Sequence, residues 1–117
     1  MATREEASPL TPFCASYTQA IEIIGRRWTG AIVRSMLAGT GRFSEILAAV
    51  PGLSDRLLSE LLKELELEAI VERTVVPSTP VRIEYSLTDK GRGLAAVVHS
   101  VADWAEAWTP GEEPPVS

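Results

Sequence analysis

The stretch Arg42-Phe43-Ser44-Glu45-Ile46-Leu47-Ala48-Ala49-Val50-Pro51-Gly52-Leu53-Ser54-Asp55-Arg56-Leu57-Leu58-Ser59-Glu60-Leu61-Leu62-Lys63 decides the fold. Pro51-Gly52 is a strong turn dipeptide, and apolar residues recur at helical spacing on both sides of it. Upstream, Ile46, Leu47 and Val50 line a short helix that Ser44 is expected to cap, with Phe43 before the cap as a hydrophobic staple. Downstream, Ser54 is the expected N-cap of a longer helix in which Leu57, Leu58, Leu61, Leu62 and Leu65 share one face. Two helices joined by the short turn 50–53 satisfy the helix-turn-helix plan, in which the first braces a duplex and the second enters its major groove.

A helix packed through those leucines turns Asp55, Arg56, Ser59, Glu60 and Lys63 to solvent or to a ligand. A major groove about 12 Å wide accepts one helix, whose entering end must offer donors to base edges and phosphates. Ser54, Arg56, Ser59 and Lys63 meet that need. Arg42 and Ser44 are read as backbone contacts, since free N–H groups at a helix start attract phosphate.

Working outward, Ala20, Ile21, Ile23 and Ile24 followed by Gly25 predict a first helix over 15–24. Trp28, Ile32, Val33, Met36 and Leu37 predict a second, which Gly39-Thr40-Gly41 breaks, and Trp28 is expected in its core face. Segments 70–76 and 81–87 are β-branched and alternating, with Pro77-Ser78-Thr79-Pro80 between them, so they read as a two-stranded hairpin. Such a hairpin makes a wing, from which Arg82 reaches a phosphate or the adjacent minor groove, with Arg73 second to it. Thr88 is expected to cap a long last helix carrying Leu94, Val97, Val98, Val101, Trp104, Ala105 and Trp108 every three or four positions. The fold class is therefore mainly α with a small β-hairpin, a winged helix-turn-helix.

The 117 residues suit one domain, expected over 13–108 between flexible ends at 1–12 and 109–117, both marked by prolines. No apolar run approaches the ~18 residues of a membrane span, and the N-terminus lacks a secretory pattern, so cytoplasmic residence is expected. Cys14 and His99 are each the one residue of their kind, which predicts no disulfide within the chain and neither metal nor cofactor. Without a nucleophile–base pair, a glycine-rich phosphate loop or a plausible carboxylate pair, no enzyme is expected. The net charge of −5 opposes nucleic acid only superficially, because the charge is unevenly distributed. Positions 26–56 hold Arg26, Arg27, Arg34, Arg42 and Arg56 against Glu45 and Asp55, a local balance of +3, whereas 60–72 hold five glutamates against Lys63.

The residues resemble the HxlR-type (DUF24) winged-helix regulators, close to the MarR regulators, over roughly Phe13 to Trp108. The matching pieces are Cys14, Ile24-Gly25-Arg26-Arg27-Trp28-Thr29, Arg42-Phe43-Ser44-Glu45-Ile46, Pro51-Gly52-Leu53-Ser54, Leu58-Ser59-Glu60, Val71-Glu72-Arg73 and Glu84-Tyr85-Ser86-Leu87-Thr88-Asp89-Lys90-Gly91. The resemblance implies a homodimer with its interface on the terminal helices, a fourth helix reading double-stranded DNA, and wings touching its flanks. Three positions depart from the family pattern. Leu61 replaces a polar or basic residue and has two readings, local packing or contact with a thymine methyl; Ala69 replaces a helix-ending glycine; Gly30 replaces a leucine.

Val97, Val101, Trp104 and Trp108 form the expected dimer interface, since the two tryptophans leave a large apolar patch on so small a chain. Cys14 precedes the first helix, whose positive end favours a reactive thiolate, and some relatives sense quinones, aldehydes or oxidants through such a residue. The same cysteine reads equally as a small hydrophobe. The leading function is a regulator on a pseudo-palindromic operator with recognition helices about 34 Å apart, and repression by blocking polymerase is the simplest consequence. Alternatives are a winged-helix protein-interaction module or a small-ligand-responsive regulator without a thiol switch.

Overall fold

A computed structural model of the chain describes residues 14–108, and the flexible ends expected at 1–12 and 109–117 lie outside the described residues. The described residues divide into two compact units between Gly30 and Ala31. In the first, helix α1 spans Ala15–Ile24 with Cys14 at its N-cap and Gly25 at its end. The Gly25 N–H donates to the Ile21 carbonyl at 2.8 Å, and a Cβ at Gly25 would stand 2.9 Å from that oxygen, so the glycine closes the helix tightly. Trp28 is half-buried rather than fully in a core, with the Arg27 guanidinium 4.7 Å from its ring centroid.

Helix α2, Thr29–Leu37, buries Ile32, Val33 and Met36 and ends before Gly39, whose φ of 113° is open to glycine alone at little cost. Helix α3, Phe43–Ala49, and helix α4, Asp55–Leu67, follow. The turn between them is set by Gly52, with φ 92°, and by a hydrogen bond from Leu53 N–H to the Val50 carbonyl at 3.3 Å. Proline then glycine at the two central positions is the composition of a type II turn. Leu58, Leu62 and Leu65 are buried along α4, while Leu57 and Leu61 are half-buried at the edges of that stripe.

α4 ends in a Schellman motif: Ile70 N–H bonds the Leu65 carbonyl and Ala69 N–H the Glu66 carbonyl, both at 2.9 Å. Ala69 occupies the left-handed position of that motif, with φ 61°, where the backbone favours glycine. The helix thus ends at Ala69 without the glycine that favours this left-handed cap, and still adopts the cap. Tertiary demand imposes the glycine-like geometry on a residue with a Cβ.

Strands β1, Val71–Val76, and β2, Arg82–Leu87, form an antiparallel hairpin pairing Val71 with Leu87, Arg73 with Tyr85 and Val75 with Ile83. Each starts one residue later than the sequence suggests, because Ile70 still belongs to the helix end, where its carbonyl accepts from Thr88 N–H at 3.0 Å. Thr88 caps not the long last helix but a single turn, α5 at Asp89–Arg92; after Gly93 and Leu94, α6 runs over Ala95–Trp108. This turn ties down the otherwise unsatisfied carbonyls ending α4. The Thr88 hydroxyl donates to the Ala69 carbonyl at 2.6 Å and accepts from Gly91 N–H at 3.0 Å, and Lys90 Nζ donates to the Glu68 carbonyl at 2.7 Å. A Cβ on Gly91 would stand 2.2 Å from the Ile70 carbonyl oxygen, so only glycine permits this approach.

Among the described residues, no helix is long and apolar enough to cross a membrane.

Candidate nucleic-acid interface

The start of α3 is fixed by Glu45, not Ser44. The Glu45 carboxylate accepts from Gly41 N–H at 2.9 Å and Arg42 N–H at 3.1 Å, which holds its pKa below the ordinary value. Arg42 is consequently the N-cap position, and Phe43 and Ser44 are the first two residues inside the helix. This corrects the expected Ser44 cap and the Phe43 staple: a carboxylate bonding two N–H groups outcompetes one hydroxyl. Arg42 and Ser44 are both exposed. The same loop is tied to the wing, since Tyr85 N–H donates to the Gly41 carbonyl at 2.7 Å.

Ser54 caps α4 as expected, its Oγ accepting from Leu57 N–H at 3.1 Å while its own O–H stays available to donate outward. With the leucines turned inward, Asp55, Arg56, Ser59, Glu60 and Lys63 are all exposed. The Arg56 side chain is 89% exposed and pairs loosely with Glu60 one turn on at 3.5 Å. Such an exposed pair is worth roughly 0.3–0.5 kcal/mol and yields readily to a phosphate or base.

The hairpin's two faces differ. Arg82 lies on the face shared by Thr74 and Glu84, and its Nε donates to Glu84 Oε2 at 3.0 Å. Arg73 and Tyr85 lie on the opposite face, in line with buried Val71 and Leu87. That face meets α4: Ser59, Lys63 and Glu66 line a groove of about 340 Å³ with Arg73 and Tyr85. The structure thus brings Ser59 and Lys63 together with Arg73 and leaves Arg82 apart from them. Tyr85 was not singled out by the sequence as a contact, and Arg73 only as second to Arg82. Their two-residue spacing from Leu87 and Val71 is the signal that places them on the α4 side.

Along α6, Val97, Val101, Trp104 and Trp108 are exposed, the two tryptophans by 65% and 71%. Cys14 is half-buried with a free thiol. No group of three or more acidic, histidine or cysteine side chains suited to a metal occurs among the described residues.

A helix-turn-helix with an adjoining wing is also what comparison with known proteins finds. The HxlR-like helix-turn-helix family model matches residues 23–113. The chain belongs to the HxlR-like family. It is 55% identical over 95 residues to the HTH-type transcriptional regulator YvaP of Bacillus subtilis, covering 81% of this chain and 88% of that one. It is 42% identical over 100 residues to the HTH-type transcriptional regulator YodB of the same organism, covering 85% and 89%. The reduced form of YodB superposes with a TM-score of 0.76 at 40% identity, covering 86% of this chain and 98% of that chain. Diamide-treated and quinone-bound forms of YodB match as well, at TM-scores of 0.72 and 0.70. This HxlR-like chain is a DNA-binding transcription regulator and not an enzyme.

Proposed function

We propose that this regulator binds a pseudo-palindromic operator as a homodimer, with one α4 per half-site in successive major grooves, and represses by obstructing polymerase. The observation that carries this reading is the division of α4 into buried Leu58, Leu62 and Leu65 and an exposed polar face. Ser54, Arg56, Ser59 and Lys63 supply donors along that face. Arg42 and Ser44 at the start of α3 and Arg82 on the wing contact flanking phosphates. The dimer forms through Val97, Val101, Trp104 and Trp108, whose exposure in a single chain is costly in water.

Cys14 supplies the signal in this reading. It is a free thiol at the N-cap of α1, and the diamide-treated and quinone-bound forms of YodB support an oxidant or electrophile as effector. With one cysteine in the chain, modification proceeds by alkylation or by a disulfide between subunits.

The test is genome-wide fragment binding by purified protein, reduced and diamide-treated, beside Cys14→Ser, with sedimentation of the same samples. Palindromic sites bound by a dimer and released only when Cys14 is intact and oxidised are the expected result. Sites indifferent to oxidation remove the thiol switch; a monomer removes the α6 interface. Absence of bound fragments even at low salt removes operator binding and favours a protein-interaction module.

A further inference from the structure

Two of the cations chosen from the sequence for the helix and the wing, Arg56 and Arg82, each have a carboxylate partner, Glu60 and Glu84. Lys63 and Arg73 do not: among the described residues neither has an ion-pair partner within 4.0 Å. Both line the groove between α4 and the hairpin, where the hydroxyl-bearing residues Ser59 and Tyr85 join them. Glu66 is the one carboxylate among the lining residues, so the lining keeps a net charge of +1.

The placement is fixed from both sides. On α4, Ser59, Lys63 and Glu66 follow at intervals of four and three and so stand on one face. On the hairpin, Arg73 and Tyr85 are directly paired across the strands, and the bond from Tyr85 N–H to the Gly41 carbonyl anchors that rung to the loop before α3. A rung held this way cannot swing as a free wing tip does.

We infer that this groove is a phosphate site, filled by a single backbone phosphate of the bound duplex, with Arg73 and Lys63 as its charged donors and the Tyr85 and Ser59 hydroxyls completing it. The inference rests on the DNA-binding reading above and adds a positioning contact that neither Arg56 nor Arg82 supplies. Its chemistry is that of a tetrahedral anion: a guanidinium offers two N–H groups to neighbouring oxygens, an ammonium a point charge, and hydroxyls the remaining donors. One phosphate held between helix and wing fixes the register of α4 in the groove without reading sequence. Glu66 weakens the site by repelling the same phosphate.

The experiment measures affinity of the full chain for a mixed-sequence DNA duplex, and for its tightest-bound genomic fragment, over a series of NaCl concentrations. The variants are Arg73→Ala, Arg73→Gln, Glu66→Gln and, for comparison, Arg56→Ala, each checked for wild-type melting. Loss of one phosphate contact lowers the slope of log K against log salt by about 0.9 and weakens both duplexes alike, by about tenfold at moderate salt. The expected result is that loss for both Arg73 variants, with tighter binding by Glu66→Gln. If the Arg73 variants keep wild-type affinity and slope while Arg56→Ala weakens binding, the groove site is overturned and the DNA reading stands. If they change base preference instead of affinity for both duplexes, the phosphate assignment is overturned. A wild-type protein that binds neither duplex overturns both readings.

Discussion

Replacing Ala69 with glycine should stabilise the protein, an unusual expectation for an exposed alanine next to a helix. Ala69 sits at φ 61°, and the two hydrogen bonds closing the Schellman motif require that value. A residue with a Cβ held in the left-handed region costs about 1–2 kcal/mol. Glycine removes that cost but enlarges the freedom of the unfolded chain, an offset of about 0.4–1 kcal/mol. The alanine methyl is exposed, so little packing is lost with it. The balance is a gain of about 0.5–1 kcal/mol, which for a domain near 100 residues raises Tm by about 2–5 °C. Urea and thermal unfolding at fixed protein concentration measure it, with an unchanged urea m-value confirming that the same surface is exposed. An Ala69→Gly protein equal to or less stable than the parent would refute the reasoning, since it would mean that the folded backbone at 69 carries no strain.

Three further outcomes follow from particular contacts. Gly91→Ala should cost about 2–3 kcal/mol in urea unfolding, because its Cβ would stand 2.2 Å from the Ile70 carbonyl oxygen and the backbone must shift; a neutral result would mean that the turn at α5 is not packed on the end of α4. Glu45→Gln should lower Tm near neutral pH, and the gap to wild type should close in acid: hydrogen bonds from the Gly41 and Arg42 N–H groups hold the folded carboxyl below its ordinary 4.5, so its contribution is complete above the unfolded value and is lost as pH falls through the folded one. A gap that persists unchanged at low pH would show that the charge of Glu45 is irrelevant to the cap. Arg56→Ala should weaken operator binding by about 1–3 kcal/mol and relax preference at one base position, read by competition among operator variants.

Much of the architecture is legible from local pattern. The leucine spacing of α4, the Ser54 cap, the Pro51-Gly52 turn and the alternation of the hairpin are each short-range signals, since periodicity and turn chemistry act over a few residues. They are sufficient to order the helices and the wing and to name the exposed face of α4. The sequence also carries the family resemblance, because its motifs lie at those caps and turns.

Other features depend on groups distant in the chain. Ala69 is left-handed because the Thr88 hydroxyl, the Thr88 N–H and Lys90 Nζ all reach carbonyls at the end of α4, and Gly91 lets the backbone come close enough for that. Ser44 loses its capping role because Glu45, three residues after Arg42, reaches back to two N–H groups. Arg73 and Tyr85 gain importance from the strand register, which turns them toward Lys63 and away from Arg82. Sequence alone determined most of the helices, the turn and the strands, since those choices are made by neighbouring residues; only the tertiary structure decided which cations share a groove, since that is set by how α4 meets the hairpin, where Lys63 and Arg73 stand ten positions apart in the chain.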